Sequence, residues 1–118
     1  MPTIRDERAV AAGATVANIL AGSQFEFMRV PSHIAVYAVR DGAGVAGLLN
    51  LDASFGNVIE TDAAQVPTFG AGLGPNTNEH QIVSAVAAAG DRLVLRLRNG
   101  DGANAQNSRV LVKITPLG

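Results

Sequence analysis

From Phe25 onward the chain is written as short runs of valine, isoleucine and leucine, each cut off within a few residues by glycine, proline, asparagine or aspartate. Runs so brief leave no stretch for an amphipathic helix of ordinary length, about 11 residues. Alternation with a period of two inside such runs is the mark of β-strands. The expectation is therefore an all-β domain.

In 33–40, Ile34, Val36 and Ala38 share one face while Ala35, Tyr37 and Val39 share the other, so both faces are apolar. Such a strand is covered on both sides within its domain, or on its outer side by a partner. Asp41-Gly42-Ala43-Gly44 reads as a hairpin loop and 45–51 as the returning strand. A strand at 57–61 precedes a long irregular connection, 65–78, with two prolines and three glycines. Residues 82–87 and 92–98 form two strands about an Ala89-Gly90-Asp91 turn, with Leu93, Leu95 and Leu97 inward. The last strand, 109–114, turns Val110, Val112 and Ile114 to one side and is expected to pair antiparallel with 92–98. Between them, 99–107 reads as an exposed polar turn.

Residues 9–20 fit a helical stripe or a strand, and a strand is favoured, preceded by a flexible arm at 1–8. Residues 9–118 then form one domain, an antiparallel two-sheet sandwich of seven or eight short strands, for which a jelly roll is a natural topology.

Hydrophobic residues make up 47% of the 118 residues but aromatics only 4%, so the core is aliphatic and thin. A domain with so little spare stability gains from burying surface against other subunits. The formal net charge of −1 offers no global field for nucleic acid or anionic lipid. There is no cysteine, hence neither disulfide nor thiolate metal site. Charges occupy the N-terminus where a secretory leader needs an apolar stretch, and no run nears the roughly 18 apolar residues of a membrane span. The chain reads as made soluble in the cytoplasm.

No arrangement points to catalysis, so the chain is read as a non-enzyme without cofactor, metal or small-molecule substrate. His33 and His80 each lack a second ligand at metal-binding spacing. No serine lies in a Gly-x-Ser-x-Gly turn. Asp52, Glu60 and Asp62 could converge as an acid and base pair, although their spacing does not require it. Gly70-Ala71-Gly72-Leu73-Gly74 lacks the lysine of a phosphate loop. Two features remain as candidates. Arg92, Arg96, Arg98, Arg109 and Lys113 alternate with the inward leucines and valines and could form one basic face towards nucleic acid, an acidic neighbour or an inner membrane; a solvated sheet face is the alternative. Ala35, Tyr37 and Val39, with Met28 and Val30, could form a subunit interface; burial inside the sandwich is the alternative.

The stretch Leu20-Ala21-Gly22-Ser23-Gln24-Phe25-Glu26-Phe27, then 31–39, 89–99 and 110–116, resembles small jelly-roll or β-sandwich virion proteins of bacterial viruses. The resemblance implies a capsid, decoration or vertex component of the virion, assembling with copies of itself and with other virion proteins. The alternative is a carbohydrate- or receptor-binding sandwich, which the poverty in aromatic platforms disfavours.

Overall fold

The computed structural model describes residues 3–23, 25–41, 48–68, 75 and 80–117, and Ala63 by its backbone. Among these residues are eight strands: β1 (Thr3–Val10), β2 (Thr15–Val16), β3 (Ser32–Asp41), β4 (Leu49–Phe55), β5 (Val58–Gln65), β6 (Gln81–Ala87), β7 (Leu93–Asn99) and β8 (Gln106–Pro116). They form two four-stranded antiparallel sheets, in the orders β1-β8-β3-β6 and β2-β7-β4-β5. The chain changes sheet at every connection except β4 to β5, which is the strand order of a jelly roll. The expected all-β sandwich is thus the fold.

The leucine row of β7 and the Val110, Val112 and Ile114 row of β8 behave as their alternation requires. Leu93, Leu95 and Leu97 are fully buried, and the β8 row is at most 3% exposed. With Ile34, Val36 and Ala38 of β3 and Leu49, Leu51, Ala53 and Phe55 of β4, they fill the space between the sheets. Burial of each such side chain contributes about 1.5–3 kcal/mol, which makes this layer the dominant stabilising element.

The partners of these strands differ from expectation. β7 and β8 do not pair; β7 lies between β2 and β4, and β8 between β1 and β3. Nor are β3 and β4 a hairpin, because both edges of β3 are already taken by β8 and β6. The hairpin is β4 to β5, turning at Gly56 and Asn57. Gly56 has φ +61°, and an added Cβ would stand 2.7 Å from Asp91 Oδ1, so any other residue at this turn is strained and must displace the Asp91 side chain. The loop expected at 42–44 and most of the connection 65–78 lie outside the described residues.

The N-terminal segment is also corrected. Most of the expected arm at 1–8 belongs to β1, in register with β8 from Thr3↔Lys113 to Val10↔Gln106. Pairing along a whole edge supplies the backbone partners that a free arm would lack. After β1 the chain forms the two residues of β2, and 18–23 and 25–28 then follow the β7 edge without regular strand structure. There Asn18 acts as a strand surrogate: its Nδ2 donates to Leu93 O at 3.0 Å and its Oδ1 accepts from Leu95 N at 3.1 Å. Ile19 N donates to Leu95 O, Leu93 N to Glu26 O, and Met28 N to Asp91 O. These bonds close the β7 edge and seat Leu20 and Met28 in the core.

The polar turn after β7 is not simply exposed. Asn99, Asp101 and Gln106 are buried, with Asn99 at the centre. Its Nδ2 donates to Val10 O, Ala11 O and Asn104 O, and its Oδ1 accepts from Asp101 N and Gln106 Nε2. One side chain thereby ties the end of β1, the turn and the start of β8 together. Asn99→Ala would strand several of these buried groups and should lower unfolding free energy by about 2–3 kcal/mol, read from urea denaturation.

Candidate functional site

The five basic side chains proposed as one face do not share one. β7 and β8 both turn their non-core residues outward, but they belong to opposite sheets, so outward means opposite directions. Arg92, Arg96 and Arg98 lie on the β7 sheet, and Arg109 and Lys113 on the far side of the molecule.

Each of these arginines also has an acidic partner. Arg92 Nε donates to Glu26 Oε2 at 2.7 Å, and Arg109 pairs with Asp41. Asp52, directly opposite Arg96 in the β4–β7 register, accepts from Arg96 Nε at 2.8 Å and from Arg98 Nη2 at 2.9 Å. Arg98 also approaches Asp62 at 3.7 Å. Lys113 lies over the Tyr37 ring, with Nζ 5.7 Å from its centroid. Arginines held this way neutralise their neighbours first and present little net positive field.

The candidate interface is rearranged as well. Ala35 and Tyr37 do lie on the outward face of β3, but there they form a small cluster with Leu111 and are buried within the single chain. Val39 is fully buried and Met28 belongs to the inter-sheet core. Val30 alone of the five is exposed, at 49%. Phe25, Phe27, Val30, Ile114 and Pro116 line a groove of about 170 Å³ at this end of the sandwich. Phe27 of this groove is also exposed, and exposed Leu117 donates its N–H to Pro31 O; neither carries an alternating pattern, so neither gave a strand-based signal.

The two histidines are apart. His33 Nε2 lies 2.8 Å from Ser84 Oγ across the β3–β6 pair, whereas His80 is buried and its carbonyl accepts from Ala38 N. Among the described residues no three His, Cys, Asp or Glu side chains gather to hold a metal. Of the three carboxylates weighed for acid and base chemistry, Asp52 and Asp62 both border a groove of about 210 Å³ on the outer face of the β7 sheet. Glu60 is exposed and is not part of that lining.

Glu26 is a carboxylate whose acidity is displaced. The Gly22 amide and then the Arg92 guanidinium bond its charged form and hold it below the ordinary glutamate value.

Compared with known proteins, the chain matches no family model, no curated protein and no solved structure.

Two outcomes follow from the ion pairs. Asp52→Ala removes the shared acceptor of two half-exposed arginines and should cost about 1–2 kcal/mol in thermal or urea unfolding. Because Glu26 has a depressed folded-state pKa, its contribution is present above the ordinary glutamate range and is lost as pH falls through the folded value. Glu26→Gln should therefore be less stable than the parent at neutral pH, with the difference closing at the acid end of a pH series.

Proposed function

We propose that this chain is a structural protein of a virus particle, a capsid, decoration or vertex component that assembles through symmetric contacts between its copies and with other virion proteins. The observation that carries the reading is the contrast between the two ends of the sandwich. At one end the Asn99 network ties down the backbone with internal hydrogen bonds. At the other, Phe27, Val30 and Leu117 are 56%, 49% and 49% exposed beside the groove lined by Ile114 and Pro116. Apolar side chains grouped in this way on a small domain mark a contact surface.

Two further features support assembly. The core is poor in aromatic rings, so burial between subunits adds stability that the single domain lacks. Arg92, Arg96, Arg98 and Arg109 are paired within the chain, and the groove at the open end is lined mainly by apolar side chains, with Arg29 and Ser32 among them. The jelly roll itself hosts capsid subunits and lectins alike and does not choose between them.

Light scattering with negative-stain microscopy of the purified protein tests the reading. A large symmetric oligomer is expected, and Phe27→Ser with Val30→Asp should dissociate it while the circular dichroism stays that of a β protein. A parent protein that remains a monomer at every concentration, or a double variant with undiminished particles, would overturn it.

A further inference from the structure

The outer face of the β7 sheet carries a second feature that an assembly role does not use. Its groove, about 210 Å³, is bedded on β4 and flanked by β5 and β7. Five polar side chains line it, those of Asp52, Ser54, Thr61, Asp62 and Arg96, together with the apolar side chains of Ile59 and Val94. Ile59 is 72% exposed on an outward strand position, where an apolar residue gains nothing from the fold itself.

The charges around the groove cancel. Asp52 and Asp62 stand against Arg96 and Arg98, linked at 2.8–3.7 Å. An anion entering here would meet the exposed Asp62 carboxylate, and a cation would meet the arginines. A neutral ligand meets neither penalty. Asp52, nearly buried beneath the groove, holds Arg96 by its Nε, so the guanidinium is fixed before any ligand arrives. The lining alternates donors from Arg96, acceptors from Asp62 and two hydroxyls that do both. This is the complement of a group rich in hydroxyls, each itself a donor and an acceptor. Ile59 and Val94 supply an apolar surface for carbon-bound hydrogens.

From this juxtaposition we propose that the groove is a recognition site for a neutral saccharide, taking one pyranose ring of a glycan. The groove is short, spanning Ser54 on β4, Ile59 to Asp62 on β5 and Val94 to Arg96 on β7, a footprint for one ring rather than a chain of them. The groove is open, so further sugar units would run out over the sheet rather than be enclosed. No aromatic side chain lines it, and affinity for one ring is accordingly weak, on the order of millimolar. The site is complete within one chain and does not depend on the assembly reading.

Saturation-transfer NMR on the full chain tests it, since this measurement works for a monomer or a particle. The probes are the methyl glycosides of glucose, galactose, mannose and N-acetylglucosamine, with inorganic phosphate and glucuronate as charged counterparts. At least one neutral glycoside should receive saturation at its ring protons. Thr61→Val and Arg96→Lys should each weaken that binding about fivefold, the scale of one lost hydrogen bond, while Glu60→Gln leaves it unchanged. Circular dichroism confirms that each variant is folded, and Arg96→Lys keeps the charge beside Asp52. No transfer to any neutral glycoside would overturn the proposal. So would binding undiminished in a Ser54→Ala, Thr61→Val double variant, or a preference for phosphate or glucuronate over every neutral probe.

Discussion

The mutual burial of two sheet faces is the interaction on which everything else in this molecule rests. Leu93, Leu95 and Leu97 press from one sheet towards Ile34, Val36, Val112 and Ile114 of the other, and Phe55 is the largest fully buried side chain between them. A core made of branched aliphatic residues packs well but supplies less area per residue than one with aromatic rings. The sandwich therefore depends on how its ends and edges are finished. Asn18 completes part of the β7 edge, and Asn99 gathers three chain segments at one end. Both use side-chain amides where a backbone strand would otherwise be needed.

The distribution of charge follows from the same architecture. Outward positions on β7 hold arginines, and the sheet places acidic residues opposite or beside them: Asp52 across the β4 ladder, Glu26 on the edge segment. On the other sheet Arg109 meets Asp41 at the neighbouring β3 strand. Cross-strand pairing of opposite charges stabilises register more than it creates an external field. Of the five basic residues, the four arginines are thus compensated within the chain, on two opposite faces, while Lys113 lies over Tyr37. Among the described residues, two surface features stand out, a mainly apolar groove at one end and a polar groove with balanced charges on the β7 sheet, and they suit different partners: an apolar surface in the first case, a hydroxyl-rich molecule in the second.

Much of the fold was legible in the sequence because the information is local. Alternation in 93–97 and 110–114, glycine at Gly90 and the apolar run of β3 each report on a few consecutive residues, and each sits in the structure as its pattern requires. The two-faced apolar pattern of β3 was also informative, since β3 is a central strand of its sheet and is buried along its length. Less of the candidate sites could be read. Tyr37 and Val39 look like a contact surface in a linear pattern, yet they are covered within the chain. Phe27 and Leu117, which are exposed, sit in segments with no repeat at all. Asp52, Asp62 and Arg96 meet only because β5 and β7 flank β4.

By itself, then, the sequence determined that the chain forms short strands, which residues of β3, β7 and β8 face inward, and that the core is aliphatic. Side-chain alternation along one strand is sufficient for that, because the geometry repeats every two residues whatever the neighbours are. Only the tertiary structure decided which strands are partners, and hence which outward residues share a surface. β7 and β8 are near neighbours in sequence and carry similar patterns, but the free edges beside β4 and β3 were available to them in different sheets. Strand pairing is a contest among distant segments for those edges, and no local pattern encodes its outcome.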